Sequence, residues 1–306
     1  MQIFERYTDV SLRGASVAMG NFDGVHLGHC SVIDKARVAG APLGVISFEP
    51  HPRSFFAPDA PPFRLMNVAA KRHRLAKIGV DVLYDLPFDK ALSNLSAADF
   101  VLDVLSAGLG ISHLVVGEDF RFGKGRKGDV GFLAEHCPPL GIRLTIAALI
   151  SDAHGHYSSS AIRSALAAGQ PESAARMLGH WHRIEGVVEK GDQRGRELGF
   201  PTANISVNGL HLPRFGVYAV FIDVLTGPHK GSYRGAASLG ERPTFGRKIP
   251  NLETYIFDFD GDIYGEEVSV ALVSFQRPEL KYDNLPDLIE QMHKDCAISR
   301  DILENA

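Results

Sequence analysis

Cysteine is scarce: Cys30, Cys137 and Cys296 are the only three. Widely separated and odd in number, they offer neither a disulfide framework nor a zinc spacing, and a reducing cytoplasm is the expected compartment. Tryptophan occurs once, and there is no low-complexity linker and no internal repeat. No apolar run approaches the roughly 20 residues of a membrane-spanning helix. Residues 1–10 are polar and charged, without the apolar centre of a signal peptide. A basic excess is missing too: residues 1–180 carry 18 Lys and Arg against 17 Asp and Glu, and residues 181–306 carry 14 against 19. Neither a nucleic acid nor a membrane is therefore expected as a partner. What remains is a chain of 306 residues, 45% hydrophobic and 22% charged, long enough for two domains with a core each.

The most informative stretch is residues 20–29, Gly-Asn-Phe-Asp-Gly-Val-His-Leu-Gly-His. The apolar run 15–19 precedes it, and Val32, Ile33, Ala36 and Ala39 follow at helical spacing. This pattern predicts strand, tight turn and helix start, with His26 and His29 on one face of the first helical turn. Free N–H groups and partial positive charge at a helix start suit a phosphate chain, and two imidazoles add donors where transferred phosphate gathers charge.

Alternating patterns continue through the first half. Strands are expected over 43–48, 82–84 and 113–116, and helices over 71–79 and 97–107, which predicts a parallel sheet with helices on its faces. Glu49-Pro50-His51-Pro52 forces an extended turn after the first of these strands. Residues 123–128 match G-x-G-x-x-G, but they do not come straight off a strand and are strongly basic, which fits a cationic ligand-covering loop better. Ser158-Ser159-Ser160 should cap a helix running through Met177 and ended by Gly179.

The texture changes near residue 180. Short strand patterns over 183–189, 216–224, 252–259 and 267–275 argue for an antiparallel barrel or sandwich. A last helix after Asn284 should line up Leu285, Leu288, Ile289 and Met292 and close a small barrel. Residues 258–262, Asp-Phe-Asp-Gly-Asp, carry their glycine one position too early for a calcium loop and read as a hairpin turn.

The turn at 20–29 resembles the HxGH nucleotidyltransferases, and its fuller string is similar to the bacterial bifunctional riboflavin kinase/FAD synthetase family. Residues 199–204, Gly-Phe-Pro-Thr-Ala-Asn, match the signature of riboflavin kinases. The resemblance covers nearly the whole chain. It implies a doubly wound parallel-sheet, Rossmann-like FMN adenylyltransferase (FAD synthetase) domain over 1–180, and a small antiparallel β-barrel riboflavin kinase domain with a terminal helix over 181–306. Riboflavin would be phosphorylated to FMN by ATP, and FMN adenylylated to FAD by a second ATP with release of pyrophosphate. Mg²⁺ is implied in both steps.

By the same resemblance, ATP for adenylyl transfer would meet Gly20, Asn21, Phe22, Asp23, Gly24, His26, Gly28, His29, Ser159, Ser160 and Arg163. Asp119, Phe120 and Phe122 would meet the flavin there. Kinase ATP would meet Gly191, Arg196, Gly199, Pro201, Thr202 and Asn204, with Thr202 and Asn204 as metal ligands and Glu253 as catalytic base. His26 and His29 would be catalytic by stabilising charge, since the FMN phosphate is already an anionic nucleophile. The chain departs from the family at Ser160 for Thr, at Ser238 for Asn, and at His180-Trp181-His182. A cytoplasmic monomer or weak homo-oligomer is expected. Two other readings share these residues: a nucleotidyltransferase for another acceptor with a non-catalytic barrel, and a flavin-binding protein without turnover.

Overall fold

The computed structural model describes residues 1–148, 150–152, 155–191, 198–244 and 247–306. They form two compact units: Met1–Pro61 with Lys71–Tyr157, and Pro62–Ala70 with Ser158–Ala306.

The first unit is built on six parallel strands: β1 (Gln2–Phe4), β2 (Ser16–Met19), β3 (Leu43–Glu49), β4 (Val82–Pro87), β5 (His113–Gly117) and β6 (Arg143–Ala147). Their order is β1-β4-β3-β2-β5-β6. The central strands are short apolar runs because helices cover both faces. From β2 the chain reaches β3 on one side and later β5 on the other, so the topological switch point lies at the carboxyl end of β2. There α1 (Leu27–Lys35) begins. The remaining helices are α2 (Pro52–Phe56), α3 (Val68–Lys77, in this unit from Lys71 on), α4 (Lys90–Asn94), α5 (Ala97–Asp99) and α6 (Val130–His136). The helix expected over 97–107 is α-helical only in its first turn and continues as a π-helix over Phe100–Leu109. Its end is tied by the N–H of Gly110 to the carbonyl of Leu105, five residues back. The wider spiral turns Phe100, Val101, Val104, Leu105 and Leu109 all into the core, against Met19, Ile46, Tyr84 and Val116 of the sheet. A two-stranded ribbon, β7 (Ser151–Asp152) and β8 (Gly155–His156), closes this part of the chain.

The second unit opens with α7 (Ser159–Ala167) and α8 (Pro171–Leu178). One continuous helix through Met177 was the expectation. The chain instead breaks at Gly169 (φ 74°), and Pro171 starts the second helix. Ile162, Leu166, Ala174 and Leu178 cluster with Leu65, which explains why residues 62–70 belong here. That segment is also stitched down by the bond from His211 N–H to the Arg64 carbonyl (2.7 Å) and by Asn67 donating to Glu185 O (2.7 Å).

Six antiparallel strands then close a barrel: β9 (His182–Glu189), β10 (Thr202–Ser206), β11 (Gly216–Val224), β12 (Gly231–Thr244), β13 (Arg247–Ile256) and β14 (Glu267–Arg277), in the order β10-β13-β12-β11-β14-β9. Ile184, Ile205, Tyr218, Val220, Leu239, Leu252 and Leu272 fill its interior. Residues 258–262 are not a hairpin turn, since β13 pairs with β10 and β12 while β14 pairs with β11 and β9. They form a connection between strands that are not neighbours.

The last helix, α9 (Leu285–Glu304), is capped by the Asn284 side chain, which accepts from Asp287 N–H. Leu285 is exposed, contrary to expectation. The most buried face runs through Asp295, Ser299 and Leu303. Its polar members are tolerated because Arg277 pairs with Asp295 (2.6 and 2.9 Å) and Gln276 donates to Ser299.

Candidate functional site

In the first unit the Gly20–His29 turn leaves β2 at the switch point. His26 is the N-cap of α1 rather than a member of its first turn, and its Nδ1 accepts from the His29 N–H at 3.3 Å. That bond leaves the His26 proton on Nε2, so the ring presents a donor. His29, one turn on, stacks on His26 with centroids 3.6 Å apart and 20° between planes, and meets the edge of Phe22 at 5.3 Å. Gly28 is required by this packing: a Cβ there would lie 3.0 Å from the His26 ring and 3.3 Å from the Tyr157 carbonyl. Gly20 similarly faces the Phe22 ring at 3.3 Å. The backbone is strained at Phe22 (φ 51°) and at Val25 (φ 42°), a conformation that a β-branched residue rarely adopts. Asp23 is buried in the turn, Gly24 takes φ 88°, and Asn21 is exposed.

Burial, and then the neighbouring His26, hold the His29 imidazole well below its ordinary pKa, so it is neutral at pH 7. Its Nδ1 is sealed from solvent without a hydrogen-bond partner. Such an atom costs about 1–3 kcal/mol unless something fills its bonding site, and a strained, half-satisfied pair at a switch point is where a ligand is expected.

The other residues implied for adenylyl transfer are distributed over both units. Phe122 is a core residue of the first, against Phe100 and Phe132; Phe120 stacks on it at 6.0 Å and is half-buried, and Asp119 is exposed. The basic loop that follows holds a 3₁₀ turn over Lys124–Arg126 with its cations exposed. Ser159, Ser160 and Arg163 lie in the second unit. There Ser158 is the cap of α7, accepting from Ala161 N–H at 3.2 Å, and Ser159 and Ser160 occupy the first turn. Arg163 donates from Nε to the Phe63 carbonyl (2.6 Å) with its guanidinium 5.3 Å over the Phe63 ring.

On the barrel, the register pairs Asn204 with Glu253 and Thr202 with Tyr255. Ala203, Ile205 and Leu252 point inward, so Thr202, Asn204 and Glu253 share the outer face of β10 and β13. Asn251 donates to Asn204 Oδ1 (2.9 Å) and Asn204 Nδ2 donates to the Thr202 carbonyl (3.3 Å). These two bonds fix the orientation of the amide, with Oδ1 turned toward Asn251 on the outer face of the pair. Beside it opens a cavity of about 390 Å³, lined by Gly199, Pro201, Thr202, Asp260, Gly261 and Tyr264 among others. Gly191 is described and half-buried; Arg196 lies outside the described residues. Among the described residues no group of three or more His, Cys, Asp or Glu could hold a metal. A threonine hydroxyl lining the cavity and an amide oxygen two residues along the same strand face instead suit Mg²⁺, which takes few protein ligands.

Sequence reasoning missed two contributors here: Asn251, which orients Asn204, and the 258–262 segment, which lines the cavity. Ser238, noted as a departure from the family, stands opposite Glu253 on the other side. The aspartates of that segment were the available signal. His182, where the chain departs from the family, is buried at the start of β9; burial, then His180 and His211, push its pKa down to about 3.

The FAD synthetase family matches residues 9–161 and the riboflavin kinase family matches residues 178–303. A bifunctional riboflavin kinase/FMN adenylyltransferase of Pseudomonas fluorescens is 38% identical over 293 residues, covering 94% of this chain and 93% of that one. The like-named proteins of Escherichia coli K12 and Listeria monocytogenes are 36% and 37% identical, covering 94% and 95% of this chain and 92% of each of theirs. A solved structure from Streptococcus pneumoniae, described as a macrolide-efflux protein, superposes with a TM-score of 0.84 at 30% identity over 97% of this chain and 98% of its own. No described helix here is long and apolar enough to cross a membrane. With both halves matched in order and relatives aligned almost end to end, the chain belongs to the bifunctional riboflavin kinase/FMN adenylyltransferase family.

Proposed function

We propose that residues 1–180 carry the FMN adenylyltransferase activity and residues 181–306 the riboflavin kinase activity, both in the cytoplasm, in a monomer or weak homo-oligomer with no nucleic-acid partner. The observation that carries the kinase half is the convergence of Thr202, Asn204 and Glu253, from two separate sequence motifs, on one face of the β10–β13 pair. Glu253 takes the proton of the terminal ribityl hydroxyl as its oxygen attacks the γ-phosphorus of ATP, and ADP leaves. Thr202 Oγ1 and Asn204 Oδ1 would hold Mg²⁺, which would supply neutralisation of the phosphate charge. The cavity beside Thr202 receives the nucleotide, with the 258–262 segment as its wall.

In the other half, an FMN phosphate oxygen attacks the α-phosphorus of ATP, the new P–O bond forms, and the bond to pyrophosphate breaks. No general base is needed. The N–H groups at the start of α1 and the His26–His29 stack donate to the phosphate oxygens as charge builds up. Ser159, Ser160 and Arg163 bind the triphosphate, and Asp119, Phe120 and Phe122 the flavin side. The direct test is incubation with riboflavin and Mg-ATP, following products by chromatography. FMN should appear first and FAD should follow. Failure to form FMN from riboflavin, together with failure to form FAD from supplied FMN, would overturn this reading and leave the nucleotidyltransferase for another acceptor and the flavin-binding protein.

A further inference from the structure

The cavity beside Thr202 has one stretch of wall without backbone support of its own. Phe259, Asp260, Gly261 and Asp262 all line the cavity, yet they connect β13 and β14, which are not neighbours in the barrel. Among the described residues no backbone hydrogen bond ties Phe259, Asp260 or Gly261 to the rest of the fold. The two ends of the stretch are fixed. Asp258, at φ 56°, is gripped by both Nη atoms of Arg300 in α9 (2.7 and 2.9 Å). At the other end Asp262 Oδ1 accepts from the Tyr264 N–H at 3.0 Å. Between them the position of the wall is left to side-chain packing.

That packing comes from the connection between β11 and β12 and the start of β12. The Phe259 ring meets two others edge-on: His229 (centroids 5.3 Å apart, 78° between planes) and Tyr233 (5.0 Å, 76°). The Tyr233 hydroxyl in turn donates to the His229 carbonyl at 2.8 Å, which ties the two supporting residues together. His229 also stands against Gly261. A Cβ on Gly261 would lie 2.7 Å from His229 Cε1 and Nε2, and 2.6 Å from Phe259 Cζ. The Gly261 backbone is outside the left-handed region, so glycine is needed there for space and not for conformation. The half-buried imidazole fills the room a side chain would take, and among the described residues its ring nitrogens have no hydrogen-bond partner. It is therefore held as a packing group.

We propose that His229 is a positioning residue for the kinase step: its ring backs Phe259 and Gly261 and so fixes the wall against which Mg-ATP packs. This rests on the nucleotide occupying the cavity beside Thr202. Thr202, Asn204 and Glu253 lie on the paired strands β10 and β13, ahead of the connection. His229 thus governs capture of the nucleotide and not the chemical step.

The test follows FMN formation from riboflavin by the full chain, varying Mg-ATP and riboflavin in turn. His229→Ala removes the support and should raise the KM for Mg-ATP about tenfold, with kcat and the KM for riboflavin within about twofold of wild type. His229→Phe restores a flat ring and forfeits no hydrogen bond, so it should keep the KM for Mg-ATP within about threefold of wild type. Gly261→Ala forces the same contact apart from the other side and should raise the same KM roughly fivefold or more. Joined in one chain, His229→Ala and Gly261→Ala should do no more harm than the poorer single variant, since both disturb one contact. If His229→Ala does not fold, Gly261→Ala decides by the same split. An unchanged KM for Mg-ATP, or a fall in kcat with both KM values rising together, would overturn the proposal. Tyr264→Ala checks the reading beneath it, because Tyr264 lines the same cavity without a ring contact to His229. An unchanged KM for Mg-ATP in that variant would show that the nucleotide binds elsewhere.

Discussion

His29 shows how a single side chain can be shaped for a ligand that binds only in one state of the cycle. Empty, its ring is neutral, because burial and then the neighbouring His26 disfavour its charged form. An arriving polyphosphate reverses that balance and raises the pKa. The sign follows: near pH 6.5, Mg-ATP binding should take up a fraction of a proton, seen by calorimetry as a binding enthalpy that depends on the buffer's ionisation heat. His29→Ala should abolish this uptake and lower the adenylyl-transfer rate by roughly two to three orders of magnitude, with riboflavin phosphorylation unaffected. Full FAD formation by the variant would remove His29 from the chemistry. The type and spacing of the two histidines were legible in the sequence. That His26 is the cap, stacked on His29 beside a glycine, was not, because the turn takes a positive φ at Val25 that its β-branched side chain gives no sign of, and the Tyr157 carbonyl that crowds Gly28 is remote in sequence.

Elements were legible where one period dominated. The four inner parallel strands, β2 to β5, stood out because burial on both faces makes them continuous apolar runs, whereas β1 and β6, at the sheet's two edges and partly exposed, did not. β10 and β12 were hidden: β10 is five residues inside a motif that reads as a turn, and β12 holds three glycines and a proline. The π-helix was invisible, since its core residues fit an α-helical pattern almost as well. Strand β10 nonetheless sets the kinase site by alternation, turning Thr202 and Asn204 outward and Ala203 and Ile205 inward. This makes Thr202 a sharp probe. Valine is at least as good a strand former as threonine, so Thr202→Val should leave the barrel's thermal stability within about 0.5 kcal/mol of wild type. It should nevertheless lose most kinase activity, while Thr202→Ser, which keeps the hydroxyl, should retain a substantial part. Equal kinase rates in the two variants would show that the side chain packs and does not coordinate.

At the scale of the whole molecule, the change of texture near residue 180 was plain in the sequence, but the placing of α7 and α8 was not. They pack with residues 62–70 in a cluster whose members are far apart along the chain, and no periodicity reports such a contact. The consequence is testable by truncation. Residues 158–306 retain the α7–α8 pair and its contacts with β9 and β14, whereas residues 181–306 lose them. Both fragments exceed the size at which domains commonly fold alone, so both should turn riboflavin into FMN and neither should make FAD. The longer one should have the higher melting temperature. In the full chain, Glu253→Gln keeps the side chain's size and hydrogen bonding but removes the basic carboxylate. It should slow the kinase step about 10²–10⁴-fold, the range for a lost general base, and spare FAD formation from supplied FMN. FAD made by either fragment, or equal loss of both steps in Glu253→Gln, would show that the two activities share one site. Glu253 stands directly opposite Asn204 on the barrel, and the histidine stack stands at the head of α1 in the other unit. On that placement, each substitution should silence one reaction and leave the other running.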